Sequence, residues 1–229
     1  VNIPEARRQE DKKNKNDKSQ LKKELHAGDH QVVEASPHPY ALTPPYLYHA
    51  FIDGVSPAAV AVRLPGELSY CWDNEACRLA MAWKGGFIDM SDLWKGHFNA
   101  SAQILGDIFF RDNTDFPIRL GEKAVVPAGV RYKGYRLVDE YPEFHYSLDG
   151  MDVYELIKEK ADGNGLVRSF RIPDAQQQVW FFTNRGEDAI EYGSSAGRWK
   201  GGRLELSPTE ARAFTITMTS YYLAYKKKK

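Results

Sequence analysis

From Leu47 onward, apolar and polar side chains alternate in short runs separated by turn residues. The first such runs are residues 47–52, 58–64, 68–72 and 77–83, followed by 103–110, 116–120, 130–137 and 143–148. Residues 153–160, 165–172, 178–183, 203–206 and 213–222 complete the series. In the run that starts at Cys77, the odd positions Cys77, Leu79, Met81 and Trp83 are the large apolar ones. Phe144, Tyr146 and Leu148 repeat that spacing, and a period of two is the signature of a strand with one buried face. Asp149-Gly150, Asp162-Gly163-Asn164-Gly165, Asn184-Arg185-Gly186 and Gly201-Gly202 supply turn chemistry between runs. No stretch carries a sustained helical stripe, and no repeat suggests a solenoid or propeller. The pattern predicts an all-β, antiparallel β-sandwich with Val60, Val62, Leu79, Met81, Ile104, Ile108, Phe110, Phe181 and Phe214 in its core.

Upstream the texture differs. Residues 1–30 are dominated by charged side chains and predict a mobile arm, because there is too little apolar surface to offset the entropy of ordering. Pro37, Pro39, Pro44 and Pro45 favour an extended lead-in. Residues 31–225 read as the sandwich domain, and residues 226–229, all lysine, as a basic tail.

Composition narrows the function classes. Lys+Arg and Asp+Glu are equal at 31 each, so no global field recruits nucleic acid. No apolar run approaches the roughly 18–20 residues that span a bilayer, so no transmembrane segment is expected. The chain begins with Val, which fits removal of an export signal.

The densest chemistry lies between Ala59 and Phe110, which holds both cysteines and three of the five tryptophans. A three-residue loop over 73–75 sets Cys71 opposite Cys77, close enough to bridge; the alternative is two buried thiols. Trp83-Lys84-Gly85-Gly86-Phe87-Ile88-Asp89-Met90 and Trp94-Lys95-Gly96-His97 offer aromatic faces and polar groups suited to a sugar ring. The candidate ligand-binding residues are Trp72, Trp83, Asp89, Trp94 and His97. The competing reading makes Trp83 and Phe87 core, with Gly85-Gly86 a bulge.

These residues, continued by Leu105-Gly106-Asp107-Ile108-Phe109-Phe110, Phe116-Pro117-Ile118-Arg119-Leu120-Gly121 and Tyr132-Lys133-Gly134-Tyr135-Arg136-Leu137, resemble a recurring β-rich domain of secreted multidomain bacterial proteins. That domain accompanies c-type cytochrome, sugar-dehydrogenase-like or glycan-hydrolase-like modules. The resemblance implies a periplasmic or extracellular accessory module whose partner is a c-type cytochrome or a sugar-processing enzyme. It supplies no catalytic residues.

Catalysis is the alternative. Asp73, Glu75, Asp89, Asp107, Asp139 and Glu140 are carboxylates from which a glycosidase pair would be drawn. His26, His30, His38 and His49 crowd the lead-in at spacings that match no metal-binding pair, so no metal and no cofactor are expected. The sequence points to a non-catalytic exported module that binds a glycan or a partner protein within a carbohydrate-processing or electron-transfer assembly. A glycan-active enzyme with a carboxylate pair, or a purely structural subunit of a redox complex, is the alternative.

Overall fold

The computed structural model describes residues 42–95, 101–112, 114, 116–183 and 189–226. The predicted arm, nearly all of the lead-in, His97 and the last three lysines of the tail lie outside these residues. Among the described residues no helix is long and apolar enough to cross a membrane.

The fold is all-β and antiparallel, as the alternation predicts, and three sheets build it. One sheet has five strands in chain order: β1 (Tyr46–His49), β2 (Val60–Arg63), β3 (Leu68–Asp73), β4 (Arg78–Asp89) and β5 (Gln103–Arg111). A six-stranded sheet is formed by β7 (Val130–Val138), β8 (Tyr141–Leu148), β9 (Met151–Glu159), β10 (Gly165–Arg171), β12 (Ile190–Ser194) and β15 (Ala213–Ser220). Its order is β12-β15-β10-β9-β8-β7. The third sheet contains β6 (Ile118–Leu120), β11 (Val179–Phe182), β13 (Arg198–Trp199) and β14 (Arg203–Leu206), in the order β13-β14-β11-β6. Among the described residues there are also three short helices: α1 (Ser91–Trp94), α2 (Pro208–Ala211) and α3 (Tyr221–Lys226).

The inner faces of all three sheets share one core. Trp72 of β3 stacks on Phe144 of β8 at 4.2 Å with the rings within 7° of parallel, joining the five- and six-stranded sheets. Phe170 of β10 stacks on Phe214 of β15 at 4.8 Å and meets Phe181 of β11 edge-on at 5.8 Å, bringing in the four-stranded sheet. Among these rings sits a buried ion pair: Arg168 Nε donates to Glu155 at 2.6 Å, and Tyr146 Oη donates to the same carboxylate at 3.2 Å. Burial pushes the Glu155 carboxyl up, and the Arg168 charge pulls it back.

The five-stranded sheet is buried on its other face as well. Ala61, Cys71, Met81, Trp83, Phe87 and Ile88 form a second core there, with Met90 of the β4–α1 junction and Leu93 of α1 packed against it. The expected core residues divide accordingly: Val60, Val62, Leu79, Phe110, Phe181 and Phe214 belong to the main core, Met81 to the second, and Ile104 and Ile108 pack partly buried against the second. Two bulges contribute to the division, one at Phe109 of β5, since Ala82 pairs with Phe110 and Trp83 with Ile108, and one at Ala80 of β4. Trp72 pairs with Leu79 and Cys71 with Met81, so Ala80 is an extra residue and the side chains after it change faces.

The same hairpin keeps the cysteines apart, and both are free thiols. Asp73 Oδ1 accepts hydrogen bonds from the backbone N–H of Glu75 and Ala76, at 3.1 and 3.2 Å. The loop therefore runs over four residues and ends with Cys77 at φ 49°, and Asp73 pairs with Arg78. Instead of facing Cys77, Cys71 pairs with Met81 and lies in the second core, whereas Cys77 lies in the main one. The predicted bridge is thus blocked by the sheet itself. Burial pushes both thiols up to about 12, with Asp73 adding to the shift.

Candidate functional site

The open chemistry lies on the four-stranded sheet. Val179 and Phe181 of β11 point into the core, so Trp180 and Phe182 face outward and remain half-buried. Register puts Arg119 of β6 beside Trp180 on one side and Glu205 of β14 on the other, with Arg198 of β13 beyond Glu205. One cross-strand row therefore reads Arg119, Trp180, Glu205, Arg198. The next holds Phe182 opposite Arg203. The Arg119 and Arg203 guanidiniums lie 4.1 and 4.8 Å from the Phe182 ring centre. Trp180 Nε1 donates to the carbonyl of Gly121 at 2.9 Å, and Gly121 lines a groove beside the indole.

That groove is an open cavity of about 780 Å³. It is lined by the amides Gln176, Gln177 and Gln178 together with Glu122, Arg198, Lys200 and Glu205. Ser207, Pro208 and Glu210, at the start of α2, close one end. Two of the three carboxylates that line the groove, Glu205 and Glu210, are held in place. Glu205 accepts from Lys200 and Gln178, and the Lys200 contact holds its carboxyl below the usual range. Glu210 completes a capping box with Ser207, accepting from its Oγ at 2.7 Å and its backbone N–H at 2.8 Å. Those bonds, with the Ser207 hydroxyl foremost, likewise lower its carboxyl.

An adjoining cavity of about 520 Å³ is also lined by Gln176 and Gln177, so the two volumes meet at the same pair of amides. Its remaining polar lining includes Asp152 and Asp174. Asp152 is bonded by Lys133, and His145 Nε2 lies 3.0 Å from its Oδ1; both contacts lower its carboxyl, Lys133 first. His145 in turn stacks on Tyr154 at 4.4 Å, and Arg171 lies 4.3 Å from the centre of that ring.

The groove thus presents neutral amides, able to donate and accept, between ionised carboxylates and cations. Such a surface suits a ligand rich in hydroxyls. A carboxyl acting as general acid needs a raised pKa, and the shifts at Glu205, Glu210 and Asp152 all run the other way.

Residues 70–155 match a family described as a domain of unknown function (DUF6797), over less than half of the chain. The match runs from β3 into β9; it includes Lys133, His145 and Asp152 but stops short of Gln176 and the strands that carry Trp180, Arg198 and Glu205. No curated protein and no solved structure matches the chain.

The predicted ligand residues fall elsewhere. Trp72 and Trp83 are 0 % exposed and sit in the two cores on opposite faces of the five-stranded sheet, so neither offers a platform to a ligand. Trp83 Nε1 donates to the Gly86 and Phe87 carbonyls at 3.0 and 3.2 Å, pinning the bulge in β4. Gly86 is required there because a Cβ would lie 2.6 Å from Leu105 Cβ. The Gly-Gly pair therefore serves strand approach. Asp89 closes β4 and accepts from Ser91 N–H at 2.8 Å, a turn contact that lowers its carboxyl. Trp94 is the last residue of α1, and His97 lies outside the described residues. Asp89 thus ends the strand that carries Trp83, while Trp72 belongs to the core on the other face of the sheet. The carboxylates considered for catalysis are dispersed: Asp73 and Asp89 build turns, and Asp139 and Glu140 form the β7–β8 turn.

The groove residues escaped notice, yet Trp180 had a signal. Val179 and Phe181 alternate with Trp180 and Phe182, and placing Phe181 in the core sends Trp180 outward. Glu205 and Arg198 had none, because their nearness to Trp180 is set by pairing between distant strands.

Proposed function

We propose that this chain is a non-catalytic binding module that holds a glycan in the groove beside Trp180. The observation that carries this reading is one groove lined by Gln176, Gln177 and Gln178 and by Glu205, whose carboxylate accepts from Gln178 and Lys200. Amides and fixed carboxylates bind sugar hydroxyls without protonating a glycosidic oxygen. The half-buried indole beside the groove supplies an apolar surface. Export, and association with a c-type cytochrome or a sugar-processing enzyme, rest on the resemblance of the 60–146 stretch to modules of secreted proteins.

Isothermal titration against a panel of oligosaccharides, with mass analysis of the products, tests the reading. Saturable binding of an intact glycan is expected, weakened about tenfold or more by combined Gln176→Ala and Gln177→Ala, equivalent to about 1.4 kcal/mol. Glycan cleavage lost in Glu205→Gln would instead favour the enzyme reading. Silence towards every glycan would overturn both.

A further inference from the structure

We infer that the glycan is acidic, its carboxylate or sulfate groups lying against Arg119, Arg198 and Arg203 on the outer face of the four-stranded sheet. This rests on the groove reading and adds the charge class of the ligand.

All three arginines emerge on one face because their strand neighbours Ile118, Leu120 and Leu204 point into the core, as does Trp199 beside Arg198. Among the described residues none of the three has a carboxylate within ion-pair distance. Arginines on the outer face of the six-stranded sheet are different: Arg136 and Arg171 both pair with Glu143, at 2.6 and 3.4 Å. The acid on the four-stranded face, Glu205, is already engaged by Lys200 and Gln178. Arg198 lies within electrostatic reach of Glu205 and Glu210, whose carboxyls it helps to lower, so Arg119 and Arg203 are the cations of this face left without an acid partner.

Their geometry is fixed in advance. Arg119 and Arg203 are both held at the Phe182 ring. A cation–π contact uses none of the guanidinium's N–H donors, so the terminal ones stay free for a second partner. Arg119 Nε, buried, has no hydrogen-bond partner. A planar carboxylate or a sulfate takes two such donors at once. Arg119 and Arg203 lie on the two strands flanking β11, and both guanidiniums meet at the Phe182 ring between them. Arg198, one strand beyond Arg203, lines the groove itself. Acid groups on a chain seated beside Trp180 would thus meet guanidiniums along its length.

The test compares three oligosaccharides of matched length, one neutral, one bearing uronate carboxylates and one bearing sulfate esters, at low and high salt. The wild-type chain is compared with Arg119→Gln/Arg203→Gln and with Arg119→Lys/Arg203→Lys, each first checked for an unchanged melting profile. An acidic oligosaccharide should bind at least tenfold more tightly than the neutral one, with the gap narrowing at high salt. The Gln pair should lose the gap while keeping neutral-glycan binding, and the Lys pair should retain part of it. Which acidic probe binds more tightly assigns carboxylate or sulfate. Equal binding of neutral and acidic probes, or a gap that survives in the Gln pair, would overturn the inference and leave the glycan reading intact. Failure of all three probes to bind would remove the glycan reading, and this one with it.

Discussion

Trp83 and Trp180 both lie within strands, and both indoles donate to nearby carbonyl groups. What differs is the layer above the sheet. Over Trp83 the chain from β4 through α1 packs back on the strand, and Met90, Leu93 and Ile104 help to seal a second core. Beside Trp180 the neighbouring outward side chains are Arg119 and Glu205, and Glu205 lines an open groove. The same residue type is therefore structural in one sheet and available to a ligand in another. Aromatic content alone does not distinguish the two; the covering layer does.

Truncating each indole should separate the roles most widely. Trp83→Ala should lower unfolding free energy by about 3–5 kcal/mol, the range for emptying a large aromatic site in a packed core. Trp180→Ala should cost about 1 kcal/mol through its hydrogen bond and partial packing, yet abolish glycan binding. Denaturant titration measures the first effect and calorimetry the second. Comparable stability losses in the two variants would break the contrast.

Charges should divide in the same way. Glu155→Leu leaves Arg168 buried without its partner and should destabilise by about 3–5 kcal/mol. Pairing it with Arg168→Met should restore much of the loss. Glu205→Gln, on the open sheet, should change stability little and affinity more. A chemical-denaturation series on these variants sharpens the comparison, and an unaltered midpoint in Glu155→Leu would contradict it.

A smaller effect concerns the thiols. Burial and a pKa of about 12 keep Cys71 and Cys77 protonated at neutral pH, so thiol reagents should label neither until the protein unfolds. Non-reducing mass spectrometry should find both as free thiols. A native disulfide would disprove the placement of the two cysteines on opposite faces.

The smallest expected effect is on pH dependence. Asp152, Glu205 and Glu210 have folded pKa values below their ordinary ones. The stability they lend is whole above those ordinary values and is lost as pH falls through the lowered ones. Affinity should therefore stay level from neutral pH down to about 5 and decline only below the ordinary carboxylate range. A loss of binding centred near neutral pH would point to another titrating group.

Much of the fold was legible because burial of one strand face writes a period of two into sequence. Phe144, Tyr146 and Leu148 show it without interruption, and all three are buried. The run from Cys77 to Trp83 shows the limit of that rule. Its odd positions look like one face, yet the bulge at Ala80 divides them between two cores. A sheet buried on both sides gives no polar face to reveal the change of phase. The turn at Asp73 was misjudged for a local reason, since its carboxylate captures two backbone N–H groups and lengthens the loop. The groove was hidden for a nonlocal one: Gln176, Arg198 and Glu205 meet only after β11, β13 and β14 have paired.

The most direct test of the central claim is a fluorescence titration with an acidic oligosaccharide, comparing the wild-type chain with Trp180→Phe and Trp83→Phe. The account predicts a saturable change in indole emission that disappears in Trp180→Phe and persists in Trp83→Phe. A response that persists in Trp180→Phe and vanishes in Trp83→Phe would contradict it, returning the site to the five-stranded sheet.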